Sequence, residues 1–81
     1  MDITAEERQL FLDNVEDGMT FLGASLASDN PFYMLKAIND QIKYDGLDWQ
    51  YDLNAKGRVL QQLYEALYAK NEALLRKPEK Q

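Results

Sequence analysis

Apolar residues recur along the first third of the chain at intervals that place them on one side of a helix. Spacings of 3, 4, 3 and 4 residues separate Leu12, Val15, Met19, Leu22 and Leu26. This stripe runs through Gly18 and Gly23, each of which costs about 1 kcal/mol relative to alanine inside a helix. We therefore predict one long first helix, bent near Gly18. Two short helices separated at Asp17-Gly18 are the alternative.

Residue types that are typical of helix ends predict where the first two helices begin and where the second one ends. Thr4 followed by Glu7 has the sequence of a capping box at the start of the first helix. Asn30 before Pro31 predicts the N-terminus of a second helix. Its buried stripe consists of Leu35, Ile38 and Ile42. We expect this helix to end at Gly46 in a Schellman motif, with the glycine in the left-handed conformation.

The last third of the chain predicts a turn followed by a third helix. Residues 47–53 alternate apolar and polar positions, but a single strand would have nothing to pair with, so we interpret them as a turn or one helical turn. Asp52 or Asn54 can cap the helix that follows, and Pro78 ends it. Its inner stripe consists of Leu60, Leu63, Leu67 and Leu74, widened by Val59 and Ala66.

Three main helices with short connections predict an all-α fold, a small antiparallel three-helix bundle. The bundle has four helices if the first one breaks near Gly18. We expect residues 1–77 to form a single domain and residues 78–81 to be a frayed C-terminal tail.

The composition argues against catalysis and against cofactors. The chain contains no cysteine and no histidine, which are the residues most often used for nucleophilic catalysis, acid–base catalysis and zinc binding. Asp13 to Gly18 resembles the start of a calcium loop, but Val15 and Ala24 stand where that loop requires ligands. We therefore expect no enzyme activity, no metal and no cofactor.

Charge is distributed unevenly along the chain. Residues 1–52 carry a net charge of −8 and residues 53–81 a net charge of +3, which gives −5 in total. An acidic first part argues against nucleic-acid binding by the whole chain, because phosphates would be repelled. The N-terminus lacks the basic and apolar segments of a signal peptide, and no uncharged run is long enough to span a membrane. We expect a cytoplasmic protein, in the host cytoplasm if the gene is viral.

Aromatic residues supply the candidate binding surface. Tyrosine and tryptophan combine apolar area with a polar end and are frequent at protein interfaces. The candidates are Tyr64, Tyr68 and Leu75 on a second face of the last helix, Tyr44, Trp49 and Tyr51 around the turn, and Asp45, Asp48 and Asp52 as an acidic rim. For Phe11, Phe21, Phe32 and Trp49 we favour the core. Tyr64 and Tyr68 fit the core and an interface equally well.

These features predict a small non-enzymatic protein-binding module, of the inhibitor, immunity, antitoxin or adaptor type that phages and bacteria encode. Its partner is another protein, which the sequence does not identify. One alternative is a self-associating structural protein whose aromatic face pairs with itself in a homodimer. A further alternative is an acidic inhibitor that mimics DNA.

Overall fold

The computed structural model describes residues 1–76, which form five helices and no β-strand. The helices are α1 (Ala5–Asn14), α2 (Gly18–Ser28), α3 (Phe32–Asp45), α4 (Ala55–Lys70) and α5 (Glu72–Arg76). The predicted all-α bundle is confirmed. The count differs because the first and the last predicted helices are each divided in two. The predicted stop at Pro78 and the tail at 78–81 lie outside the described residues.

The first predicted helix divides at residues 15–17, so one continuous helix was wrong and the alternative break is confirmed. Asp17 has a left-handed backbone with φ 56°, which ends the helical path. The Glu16 amide donates to Gln41 Oε1 on α3 over 2.9 Å. Phe11 of α1 and Val15 at the start of the turn are both buried in the same core.

The break also divides the apolar stripe that the spacing predicts. Val15 and Leu22 are buried, as predicted. Met19 is 72% exposed and Leu26 is 48% exposed, so both were wrongly assigned to the core. The turn gives α2 a different orientation from α1. The spacing of 3 and 4 residues therefore no longer places the stripe residues of α1 and those of α2 on the same face. Instead, α2 buries Ser25 beside Leu22.

The predicted capping residues form hydrogen bonds with the free backbone amides at the N-termini of α1 and α4. The Glu7 amide donates to Thr4 Oγ1 over 3.0 Å, and the Thr4 amide donates to Glu7 Oε1 over 2.9 Å. This is the capping box that the sequence predicts. At α4 the Gly57 amide donates to Asn54 Oδ1 over 2.8 Å. Of the two predicted candidates, Asp52 and Asn54, the N-cap is therefore Asn54.

The N-terminus of α3 is capped from two sides. Phe32, the first helical residue, donates its amide to Asn30 Oδ1 over 2.8 Å. Pro31 directly precedes the helix, one residue earlier than predicted. The Met34 amide donates to the Ser25 hydroxyl of α2 over 3.1 Å. This buried bond explains why a serine lies in the core, because it satisfies one of the free amides of a helix start.

Gly46 ends α3, but for a reason other than the one predicted. Its φ is −94°, so the left-handed Schellman cap was wrong. A Cβ at Gly46 would lie 2.8 Å from the Ile42 Cα, and a Cβ at Gly57 would lie 2.0 Å from the Gly46 oxygen. The two glycines therefore let the end of α3 and the start of α4 approach backbone to backbone. The Asn54 amide donates to the Gly46 oxygen over 2.9 Å at this contact.

The last predicted helix divides at Asn71, which separates α4 from α5. Asn71 is 2% exposed, and its side chain pairs with the backbone of Asp2. The Asp2 amide donates to Asn71 Oδ1 over 2.6 Å, and Asn71 Nδ2 donates to the Asp2 oxygen and to the Leu67 oxygen, each over 2.9 Å. A continuous helix was wrong here because this asparagine ties the N-terminal segment into the bundle.

The helices pack around one core, with α2 and α4 each in contact with both α1 and α3. The buried apolar residues are Phe11, Val15, Leu22, Met34, Leu35, Ala37, Ile38, Ile42, Leu60, Leu63 and Leu67. Phe11 is in the core, as predicted, and Phe21 packs against it. Phe32 is 53% exposed and Trp49 is 85% exposed, so their assignment to the core was wrong. No helix within residues 1–76 is long and apolar enough to cross a membrane.

Candidate protein-binding surface

The turn between α3 and α4, residues 47–53, forms one end of the bundle, and we call it the tip. Leu47 and Leu53 form an antiparallel β-bridge and pack against the core. Asn54 Nδ2 donates to the Asp45 oxygen over 2.9 Å, which closes the base of the turn. Together with the contact between Gly46 and Gly57, these bonds fix the tip on the two longest helices.

Asp48 organises the tip from within. Its amide donates to the Asp52 oxygen over 2.8 Å, and its oxygen accepts from the Tyr51 amide over 3.0 Å. Its Oδ1 accepts from the Gln50 amide over 2.8 Å and from the Asp52 amide over 3.1 Å. One residue therefore satisfies three amides of a short turn, which is the role that aspartate has in Asx turns. This carboxylate is a structural acceptor as well as a surface charge.

The two aromatic side chains of the tip point into solvent. Trp49 is 85% exposed and Tyr51 is 83% exposed, the two highest values among the large hydrophobic residues described. Tyr51 has φ 67°, a left-handed backbone that is rare for a bulky residue. Backbone strain of this kind is found at binding sites more often than elsewhere. The fold therefore holds two large rings outside its core on a hydrogen-bonded turn.

Of the three predicted rim acids, Asp48 and Asp52 lie in the tip, whereas Asp45 is the last residue of α3. Asp45 Oδ2 accepts from Lys56 Nζ over 2.7 Å, and Asp45 Oδ1 accepts from Gln41 Nε2 over 3.0 Å. The hydrogen bond from the Lys56 ammonium and the second one from Gln41 lower the pKa of Asp45 below its ordinary value. Asp48 and Asp52 are both exposed, and in the sequence Asp48 is next to Trp49 and Asp52 is next to Tyr51. The charge available to a partner at the tip is therefore carried mainly by Asp48 and Asp52.

The predicted residues of the last helix form a different surface, a groove between α3 and α4–α5. Tyr64 and Tyr68 stack with ring centroids 6.3 Å apart and an interplanar angle of 12°. Tyr64 is half-buried, Tyr68 is 44% exposed, and Leu75 lies beside them. Phe32 and Leu35 of α3 form the opposite wall. The two tyrosines therefore differ: Tyr64 packs against the core, and Tyr68 is at the surface.

The nine candidate residues therefore occupy three places. Counted along α4 from Ala55, Tyr64 and Tyr68 are about 14 and 20 Å from the tip at 1.5 Å per residue. Tyr44 is 74% exposed and lies near Val15 and Phe21 on the side of α3 that faces α2. The structure brings together Trp49, Tyr51 and the acids, and it separates them from the groove and from Tyr44.

Sequence reasoning missed Phe32 as a surface residue. The prediction placed Phe32 among the aromatic rings that complete a small core with few large aliphatic side chains. Phe32 precedes Leu35 by three residues, and Asn39 follows by four, which places all three on one edge of α3. Because this spacing continues the buried stripe of α3, the sequence contains no local signal that Phe32 is exposed at the edge of the groove.

No three side chains of the types that bind metals come together within residues 1–76. No protein-family model, no curated protein and no solved structure matches the chain.

Proposed function

We propose that this chain is a non-enzymatic protein-binding module that engages its partner through the tip. The observation that carries the proposal is the near-complete exposure of Trp49 and Tyr51 on a hydrogen-bonded turn. Proteins of the inhibitor, immunity, antitoxin and adaptor types act by such binding alone. The absence of cysteine and histidine from the sequence agrees with a role that needs no catalytic group.

Rigidity of the tip supports this role on energetic grounds. Ordering a flexible loop on binding lowers affinity, and a loop that is already fixed avoids that loss. Tryptophan and tyrosine are also the residue types most enriched among those that dominate interface energies. The fold gains little stability from rings that lie outside its core, so their placement is better explained by a partner that buries them.

The charge beside the rings indicates the chemistry of that partner. Asp48 directly precedes Trp49 and Asp52 directly follows Tyr51, and neither acid is engaged in an ion pair within the described part of the chain. A surface with an apolar recess for the two rings and with lysine or arginine at its edge complements this arrangement. We therefore propose a protein partner that carries a basic-edged apolar recess.

An affinity capture tests the proposal. Tagged wild-type chain and a Trp49→Ala/Tyr51→Ala variant are incubated with a lysate of the cells that carry the gene, and bound proteins are compared. Loss of one interface anchor typically costs about 2 kcal/mol or more, so we expect the double variant to bind at least about 30-fold more weakly. Its thermal unfolding should match the wild type, because both side chains are exposed.

Two further variants locate the surface. Gln50→Ala changes an exposed tip residue between the two anchors and should leave capture unchanged. Tyr68→Ala removes the exposed ring of the groove and should also leave capture unchanged. If the Trp49→Ala/Tyr51→Ala variant captures the same protein as well as the wild type does, the tip is not the binding surface. Loss of capture by Tyr68→Ala alone would move the surface to the groove.

A further inference from the structure

A pocket of about 200 Å³ lies between α2 and α3, beside the turn that joins α1 to α2. Its inner side is apolar, with Val15 and Ala37 buried and Phe21 half-buried. Its outer side carries three exposed residues, which are Glu16, Asp40 and Tyr44. An apolar interior with a few polar groups that converge on it is typical of a ligand site. We call it the α2–α3 pocket.

Hydrogen bonds fix the walls of the α2–α3 pocket. The Glu16 amide donates to Gln41 Oε1 over 2.9 Å, and Gln41 Nε2 donates to Asp45 Oδ1 over 3.0 Å. Gln41 is 6% exposed, so a buried side chain joins the turn to α3. The Gly18 amide donates to the Val15 oxygen over 3.2 Å within the same turn. The pocket is therefore formed by the fold itself, and an occupant would not have to order it.

The charge at the mouth of the pocket is negative. None of the residues that line it within residues 1–76 is basic. The Glu16 carboxylate forms no ion pair in this part of the chain. Asp40 pairs with Lys36 over 3.2 Å, but these side chains are 61% and 64% exposed, and so exposed a pair contributes little and exchanges readily. A cation at the mouth would meet two carboxylates beside an apolar wall, where attraction is stronger than in water.

The combination of charge and apolar interior selects the occupant. A divalent metal ion needs more oxygen ligands than two carboxylates, and no cluster of three metal-binding side chains occurs within residues 1–76. A purely apolar group would take water from Glu16 and Asp40 without replacing it. A basic side chain has an apolar stem for the interior and a cationic end for the carboxylates and for the ring of Tyr44.

We infer that the α2–α3 pocket receives one lysine or arginine side chain of a protein partner. The inference rests on the proposed function in one respect, since the occupant belongs to the partner that binds the tip. The end of α3 connects the two places. Asp40 and Leu47, the first residue of the tip, are seven residues apart, which corresponds to about 10 Å along a helix. One partner can therefore reach both.

Titration with capped amino acids tests the pocket without the partner. Lysine, arginine and norleucine, each acetylated at the amine and amidated at the carboxyl group, are added to ¹⁵N-labelled wild-type chain and followed by NMR. Capped lysine and capped arginine should shift the amide signals of Glu16, Gln41 and Tyr44 until saturation. Norleucine has the stem of lysine without the ammonium, so it should bind at least about 10-fold more weakly.

Substitutions at the mouth test the source of the affinity. Glu16→Gln/Asp40→Asn should bind capped lysine at least about 10-fold more weakly. Glu6→Gln/Glu65→Gln is the matched control, because it removes two exposed carboxylates elsewhere and should bind like the wild type. Tyr44→Phe should also bind like the wild type, whereas Tyr44→Ala should bind more weakly because the ring is gone.

The outcomes separate the pocket from the tip. Trp49→Ala/Tyr51→Ala should bind capped lysine like the wild type, so a failure of the tip leaves this titration unaffected. Glu16→Gln/Asp40→Asn should capture the partner at least about 10-fold more weakly, and unchanged capture would show that no residue of the partner occupies the pocket. Equal binding of capped norleucine and capped lysine would overturn the proposal. So would an absence of saturable shifts, or equal weakening in Glu6→Gln/Glu65→Gln.

Discussion

Tyr51 combines a left-handed backbone with a ring that is 83% exposed. The left-handed conformation costs a residue with a Cβ about 1–2 kcal/mol, whereas glycine adopts it freely but loses more chain entropy on folding. We therefore expect Tyr51→Gly to raise the free energy of unfolding by about 0.5–1 kcal/mol, measured by urea denaturation. The same variant should lose partner capture, because the ring is gone.

Gln50→Gly is the control for Tyr51→Gly. Gln50 does not have a positive φ, so glycine there adds chain entropy without relieving strain and should lower stability. If both glycine variants change stability in the same direction, the strain at Tyr51 is not the cause. A stabilised Tyr51→Gly variant that captures its partner normally would remove Tyr51 from the binding surface.

The contact between Gly46 and Gly57 makes a second prediction at the scale of single residues. A Cβ at Gly57 would lie 2.0 Å from the Gly46 backbone oxygen, which cannot move as a side chain can. We expect Gly57→Ala to lower the free energy of unfolding by about 3 kcal/mol or more. The matched control is Gly23→Ala on the exposed side of α2, where a Cβ would meet nothing within 4 Å, and it should raise the free energy of unfolding by about 1 kcal/mol. Similar effects of the two alanines in urea denaturation would contradict this account.

Among the helices, α4 and α5 are joined to the N-terminal segment through Asn71. Asn71→Ala would leave the Asp2 amide and oxygen without their partners in a partly buried place. An unsatisfied buried group costs about 1–3 kcal/mol, so we expect a loss of about 2–3 kcal/mol in the free energy of unfolding. Hydrogen exchange at the Asp2 amide should accelerate. Asn39→Ala on the exposed side of α3 should change neither quantity, and unchanged exchange at Asp2 in Asn71→Ala would contradict the prediction.

An ion pair between α1 and α4 makes stability depend on pH. Lys70 Nζ donates to both Glu7 carboxylate oxygens over 2.9 Å. Burial alone would raise the pKa of Glu7, but hydrogen bonds from the Thr4 amide and from Lys70 outweigh it and lower the pKa below its ordinary value of 4.5. The stabilisation by ionised Glu7 is therefore complete above pH 4.5. It is lost as the pH falls through the lowered pKa of the folded state.

Glu7→Gln tests this dependence because glutamine keeps the capping box and removes the charge. We expect the variant to lose less stability than the wild type between pH 7 and about pH 3, measured by urea denaturation at both values. Glu65→Gln is the control, since the Glu65 side chain accepts from Gln61 on the exposed side of α4. It should follow the wild type. Equal pH dependence in Glu7→Gln and the wild type would contradict the role of the ion pair.

At the scale of elements, the sequence predicted the helical class, the N-terminal caps of α1 and α4, and most of the core of α3 and α4. These features depend on neighbours within one or two turns. The two breaks depend on contacts that join residues 25 and 69 positions apart, Glu16 with Gln41 and Asp2 with Asn71. Local spacing contains no information about such bonds. The stripe through Met19 and Leu26 failed for the same reason, because the turn at Asp17 reoriented α2.

Across the whole molecule, the sequence identified which residues could form a binding surface but not how they are grouped. Trp49, Tyr51 and the acids near them in sequence do lie together, because one short turn contains them. Tyr64 and Tyr68 lie two to four turns further along α4, and the antiparallel packing of α3 places them opposite Phe32. Their grouping depends on the path of the chain in three dimensions, which residue types alone do not reveal.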